Sequence, residues 1–340
     1  MPSQSVSRRR ILTTSVAMAG SAIIPRARSA EPVELKVSHY LPPNHTFQKV
    51  LVQWADTLDH KSSGGLKLRI YPASQLGPVN RQFDLARTGI ADMAIGLHGA
   101  TPGRYPLTDL VSLPFQSPKA GSNSAVTSRR LTDLAPTYLA KEHQGLRILW
   151  MATTNPLKLH FTKARPRTLA DFAGLRIRYA GVQFADIIRT LGAVPLDVPP
   201  GETTDALAKG VIDGAMFPYE ATQSFALGDV VHTSIEPGTA TATFAFVANP
   251  RKFDSLPREF QDLITATTGP EEASHVGATF DQAEAAGRQY MLDKGVQILT
   301  LTPAELDTLR TRLAPVSEAA IDVQEKAGRP ARAFLAAYTA

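Results

Sequence analysis

The 340-residue chain contains no cysteine, which excludes disulfides, thiolate-held metals and cysteine nucleophiles together. Its stability must come from an ordinary packed core, which a chain of this length can bury. Long apolar runs are missing as well. The most apolar early stretch, residues 11–24, is interrupted by Thr13, Thr14 and Ser21 and is shorter than the roughly 18 residues a membrane span needs. Acidic residues are absent from residues 1–29, where Arg8, Arg9, Arg10, Arg26 and Arg28 lie. Those five account for the whole formal charge of +5, because the remaining 31 basic residues match 31 acidic ones. The polyanion-binding reading that a basic chain invites disappears with them. Catalytic signatures are missing too: no G-x-S-x-G elbow, no Walker loop and no G-x-G-x-x-G occurs. The eight histidines are scattered without metal-ligand spacing, so neither a metal nor a cofactor is expected. Adjacent carboxylates such as Glu271 and Glu272 fall on helices expected to be solvated.

The leader is the strongest local signal that is present. Ser7 to Leu12 reads SRRRIL, then a mildly apolar stretch reaches Ile24, then PRARSAE follows. A basic start, a short apolar middle and small residues at the end make a secretory signal. Arg8 and Arg9 in this setting are similar to the twin-arginine type. Cleavage is expected after Ser29 or Ala30. An ordinary export signal and an uncleaved anchor are the alternatives.

Beyond the leader, 43% hydrophobic and 20% charged residues indicate a globular chain. ELKVSHYL (34–41) alternates as a strand, FQKVLVQWADTLDHKSSGG (47–65) has helical spacing and stops at Gly64-Gly65, and LKLRIYP (66–72) is the next strand. RQFDLARTG (81–89) and ADMAIGL (91–97) continue the alternation, which predicts a mainly parallel sheet covered by helices. A second unit repeats it: LRILWMA and LKLHFT as strands, FADIIRTLG and ETTDALAKG as helices, VIDGAMF and TATFAFVAN as strands. The chain then turns helical, with Pro315 expected to kink or break the segment 303–328. Two α/β units without a flexible tether predict lobes joined by crossing strands, with a ligand cleft at their junction.

Within the second unit, AGLRIRYAG (173–181) sends Arg176 and Arg178 from the same face of a strand. A wet strand face would account for both.

Four stretches in order carry a resemblance. They are LRIYPASQLGP (68–78), GRYPLTDLVSLPF (103–115), LADFAGLRIRYAG (169–181) and LGAVPLDVPPGETTDALAKGVIDGAMFP (191–218). Together with the leader and ANPRKFDSLPREFQDLI (248–264), the chain resembles the extracytoplasmic solute-binding proteins of TRAP transporters, the DctP-like group. The resemblance implies an α/β, two-lobed periplasmic binding protein, type II-like, with a long helix behind both lobes. It divides the chain into a leader (1–29), lobe I (30–152 plus 245–269), lobe II (153–244 plus 294–338) and a back helix (270–293). It further implies a non-enzymatic, monomeric periplasmic protein, in a Gram-negative bacterium. Such a protein delivers a small organic carboxylate to the small and large subunits of a membrane permease. The family's anchor arginine falls on Arg178, where a planar guanidinium matches a carboxylate's two oxygens and Gly181 keeps the approach open. Arg176 is expected to be a solvent or structural arginine.

Three departures from the sialic-acid-binding members shape the expected ligand. A second arginine is replaced here by Leu159, an asparagine after the Asp-Gly turn by Phe217, and an acidic residue by Leu97, followed by His98. Buried polar groups need partners, so the pocket is expected to favour a carboxylate on an apolar or aromatic body. Tyr40, Leu97, Phe217 and Tyr219 would form walls, and Glu220 or His98 could take a ligand hydroxyl. Alternatively, Phe217 and Tyr219 are core residues. Two other functions stay open on sequence grounds: a binding protein of an ABC importer or sensor, and a secreted enzyme on the same fold.

Overall fold

The computed structural model describes residues 32–116, 123–179 and 181–340, together with Met1. The expected secretory leader and both candidate cleavage points lie outside the described residues. Chain alternation produces two sheets among the described residues. The first contains β1 (Val33–Ser38), β2 (Leu66–Tyr71), β3 (Met93–Leu97), β4 (Arg147–Thr153) and β10 (Thr243–Ala248), in the order β2-β1-β3-β10-β4. The second contains β5 (Lys158–Phe161), β6 (Arg176–Tyr179), β7 (Val194–Asp197), β8 (Gly214–Phe217), β9 (Thr233–Glu236) and β11 (Gln297–Thr300), in the order β11-β9-β5-β8-β6-β7.

Periodicity explains the elements around the first sheet. In β1, Leu35 and Val37 are fully buried while Glu34 and Lys36 are exposed. Helix α1 (Thr46–Lys61) buries Phe47, Val50, Leu51, Trp54 and Leu58, a one-sided stripe at helical spacing. It ends before Gly64, whose φ of +83° suits glycine. Helices α2 (Gln82–Thr88) and α3 (Ser124–Leu134) follow.

The expectation of mainly parallel pairing holds for β2, β1 and β3 in the first sheet and for β6–β7, β6–β8 and β9–β11 in the second, and fails at β10 and β5. β10 enters antiparallel between β3 and β4, because it returns from the second sheet. Two segments cross between the sheets, one from β4 to β5 and one from β9 to β10. They hydrogen-bond to each other through Thr154 N–H to the Ala242 carbonyl (2.9 Å) and Leu157 N–H to the Ala240 carbonyl (2.8 Å).

Around the second sheet, α4 (Val182–Thr190), α5 (Thr203–Ala208) and α6 (Tyr219–Thr222) connect the strands. β7 is not evident in the sequence because Pro195 interrupts its pattern. It occupies the sheet edge, where a missing N–H is tolerated.

After β10 come α7 (Pro250–Asp254), α8 (Arg258–Ala266), α9 (Pro270–Asp293), α10 (Pro303–Lys326) and α11 (Ala331–Thr339). Of the kink or break expected at Pro315, the break is corrected: α10 runs through it, and Pro315 sits on the exposed face, where water can satisfy the freed carbonyl.

Helix α9 ties the two lobes together along one stripe. Gly277, Asp281, Glu284 and Gly287 are spaced by four, three and three residues, so they share a face. At the first lobe, Gly277 packs against the Ser124 backbone, and Asp281 accepts from the N–H groups of Ser124 and Ala125 at 2.9 and 3.2 Å. At the second, Glu284 pairs with Lys158 and accepts from the Glu220 N–H at 2.9 Å, and Gly287 meets the Tyr219 carbonyl.

Candidate functional site

A cavity between the sheets gathers residues from the carboxyl ends of parallel strands, the usual mouth of an α/β lobe. Tyr40, Leu41 and His45 follow β1, Leu97 closes β3, Arg178 lies in β6, and Phe217 ends β8 with Pro218 and Glu220 just beyond it. Phe244 and Ala242 come from β10 and the segment before it, whose reversed direction puts its amino end at the same edge.

Arg178 dominates the electrostatics. It is only 2% exposed and forms no ion pair with an acidic side chain among the described residues. Its Nε–H donates to the Val198 carbonyl at 3.0 Å and an Nη1–H to the Met216 carbonyl at 3.1 Å. These two bonds fix the guanidinium and leave three of its five N–H donors for a ligand. The guanidinium carbon lies 4.4 Å from the centre of the Phe217 ring, within cation–π range. Burial pulls its pKa down to about 10, with Tyr40 and Asp197 partly offsetting it, so the group stays charged at neutral pH. A buried cation without an anion is costly, and a carboxylate fits the free fork.

Arg176 differs in every respect. It is half exposed and clasped by Asp213, through Nε to Oδ2 at 3.0 Å and Nη2 to Oδ1 at 2.8 Å, with the Gly210 carbonyl 2.8 Å from Nη2. Its donors serve the fold.

A second polar group faces the cavity. Glu220 is buried, and burial raises its carboxyl to about 7 despite a Thr46 hydrogen bond and the nearby Lys49 charge. Its Oε1 has no hydrogen-bond partner among the described residues and lies 3.6 Å from Nε2 of His45. Where the lobes meet at the rim, a Cβ on Gly181 would come within 3.0 Å of the Gly99 Cα. The expectation that Gly181 holds the approach open is therefore corrected: the other lobe's backbone takes that space. Buried Asp109 bonds to Gln183 across the same seam, and burial raises its carboxyl to about 7.

Tyr40, Leu97, Arg178, Phe217 and Glu220 are thus brought together, and three other candidates are not. His98 is fully buried on the far side of β3. There its Nδ1 meets the Thr243 carbonyl at 2.9 Å and its Nε2 meets Nε2 of His143 at 3.0 Å, because successive residues leave opposite faces of a strand. Leu159 pairs with Met216 while Arg178 pairs with Ala215, so the pleat puts Leu159 on the opposite face from Arg178. Tyr219 turns away after Pro218, and its hydroxyl donates to Glu236 at 3.2 Å. His45, Phe225 and Phe244 line the cavity and escape a sequence reading. The rule that strand carboxyl ends open onto a cleft would have pointed to His45.

A larger cavity of about 340 Å³ lies on the Leu159 face, walled by Phe172, Met216, Leu309 and Leu313. By the same measure the Arg178 cavity is about 40 Å³. Charge identifies the site better than volume does: the larger space is apolar, and its charged rim residues, Arg167 and Glu305, are exposed.

The burial of histidines gives the molecule a pH dependence. Burial holds His39, His143 and His160 down at about 4, His45 at about 3 and His98 well below 6.5. Between about pH 6.5 and 4 the unfolded chain binds protons at these positions and the folded chain does not, so their stability is present above 6.5 and lost as pH falls. Asp109 and Glu220, both raised, act oppositely: their contribution is lost as pH rises through about 7. Burial raises Glu142, Glu272 and Glu284 as well, by smaller amounts, and the five histidines outweigh these carboxyls. The unfolding free energy should therefore fall from pH 7 to pH 5, by on the order of 1 kcal/mol or more per pH unit, and the urea midpoint with it; an unchanged or rising midpoint would refute the neutral-histidine assignment.

Comparison with known proteins identifies the family. The family model described as bacterial extracellular solute-binding protein, family 7 (DctP), matches residues 37–322. A TRAP solute-binding protein from Rhodoferax ferrireducens T118, crystallised with copurified benzoate, superposes with a TM-score of 0.86 at 27% identity, covering 90% of this chain and 96% of that one. A TRAP periplasmic solute-binding protein from Bordetella bronchiseptica, with bound (R)- and (S)-mandelate, gives 0.83 at 29% identity, covering 91% and 98%. The 2,3-diketo-L-gulonate-binding periplasmic protein YiaO of Escherichia coli K12 is 25% identical over 256 residues, 72% of this chain and 74% of that protein. No helix among the described residues is long and apolar enough to cross a membrane. With two lobes, crossing strands, a tying helix and a buried cation in the cleft, the chain belongs to the DctP family and is a TRAP-type extracellular solute-binding protein.

Proposed function

We propose that the protein is the periplasmic subunit of a TRAP transporter that captures an aromatic or apolar monocarboxylate on Arg178. It hands this ligand to the small and large permease subunits. The observation that carries the reading is a buried, positively charged guanidinium with no acidic partner among the described residues, set among Phe217, Phe225 and Phe244. The benzoate and mandelate carried by the two similar crystal structures are acids of this kind. As the walls stand, about 40 Å³ leaves space for roughly three waters. A one-ring acid therefore enters as the lobes part and is enclosed as they return. Only its excess affinity for the closed form drives that closure. The twin-arginine-type leader brings the chain to the periplasm.

A thermal-shift panel of aliphatic, dicarboxylic, sugar and aromatic acids tests the reading. Aromatic monocarboxylates should raise the melting temperature most, because stabilisation grows with ligand concentration over Kd. A dicarboxylate or sugar acid as the best ligand would sink it.

A further inference from the structure

We propose that His45 and Glu220 together form a hydroxyl-reading subsite, so that the protein prefers acids whose apolar body carries a hydroxyl over their unsubstituted counterparts. The proposal rests on the monocarboxylate reading above and adds which substituent the cavity recognises. His45 caps α1 on the first lobe, and Glu220 lies in α6 on the second. Their side chains are 4% and 2% exposed, and both line the Arg178 cavity. His45 Nδ1 accepts the Phe47 N–H at 3.2 Å, which places the ring proton on Nε2. That Nε2–H faces Glu220 Oε1 at 3.6 Å, too far for a hydrogen bond, and Oε1 has no other partner among the described residues.

A donor and an acceptor thus stand side by side at the cavity, neither satisfying the other. An oxygen about 2.8 Å from each fits above a pair at this spacing. A hydroxyl serves both: its O–H donates to Oε1 and its lone pair accepts from Nε2–H. A carbonyl or ether lacks the donor. A bare ring leaves Oε1 buried and unpaired, which costs on the order of 1–3 kcal/mol, about 5- to 150-fold in affinity. Because the two groups come from different lobes, the bridge forms only when the cleft is closed.

Calorimetry on the purified protein decides the matter with three pairs of probes: benzoate against 3-hydroxybenzoate, benzoate against 4-hydroxybenzoate, and phenylacetate against mandelate. At least one hydroxy acid should bind about tenfold or more tightly than its partner. The ratio should collapse towards one in Glu220→Leu and in His45→Phe, while Glu220→Gln, which keeps an acceptor oxygen, should retain most of it. A ratio near one for every pair in the unaltered protein would overturn the proposal, as would a tenfold preference that survives both disruptive variants. The unaltered protein's own ratios decide even where a variant does not fold. Binding of all the acids without preference removes only the hydroxyl subsite, whereas binding of none removes the monocarboxylate reading and the subsite with it.

Discussion

Arg178→Ala is expected to abolish carboxylate binding while leaving the fold intact. Breaking a buried, hydrogen-bonded charge pair costs about 2–5 kcal/mol, which is roughly 30- to 4,000-fold in Kd. The stability expectation is unusual for a residue so buried. Arg178 has no acidic partner among the described residues, so its removal strands no carboxylate, and it relieves a desolvated charge. The melting temperature without ligand should hold or rise. Arg178→Lys should also bind poorly, because an ammonium supplies charge without the planar fork and cannot keep both carbonyl contacts. Arg176→Ala is the matched control on the same strand face. It should bind nearly normally and lose modest stability, since its Asp213 partner sits at a half-exposed site. Calorimetry and melting curves on the three variants separate the roles, and equal losses of affinity at positions 176 and 178 would defeat the assignment.

Gly287→Ala is expected to be strongly destabilising, with a sign that helix propensity alone cannot produce. In an open helix, glycine to alanine gains about 1 kcal/mol. Here the new Cβ would lie 1.9 Å from the Tyr219 carbonyl oxygen, a backbone atom that cannot rotate away. Either α9 or α6 must move, at a cost of about 1–3 kcal/mol or more. The displacement also reaches the cavity, because Glu284 on α9 holds the N–H of Glu220 at 2.9 Å. Urea midpoints should fall, and carboxylate affinity with them. A stabilised variant would show that α9 does not seat on α6 as closely as described.

How much of this was legible in the sequence depends on the range over which each signal acts. Alternation in 34–41 and 66–72, the helical stripe of α1 and its stop at Gly64 are local, and each corresponds to an element in the fold. The 24-residue span of α9, Pro270–Asp293, matches the helix expected at 270–293. β7 was hidden by Pro195, which is tolerated only because the strand lies at an edge, and a sheet's edge is defined by other segments. Local pattern also gives no warning that β10 runs antiparallel, since its direction follows from the crossing back from the second sheet.

The site divides in the same way. Arg176 and Arg178 share a strand, a face and a side-chain type, and nothing local separates a clasped arginine from a free one. Asp213, 37 residues from Arg176, makes the difference. Leu97 and His98 are neighbours, yet the pleat turns one to the cavity and the other to His143. Leu159 matches a family ligand position in sequence but falls on the wrong face.

By itself, then, the sequence determined the α/β class, the family and the elements with strong periodicity, and through the resemblance it nominated Arg178 as the arginine to hold an anion. Those properties reside in spacing and side-chain chemistry along one stretch of chain. Only the tertiary structure decided which wall residues reach that arginine, and that His45 and Glu220 from different lobes come within 3.6 Å. Long-range register and strand pleat set these relations, because a shift of one residue turns a side chain to the opposite face.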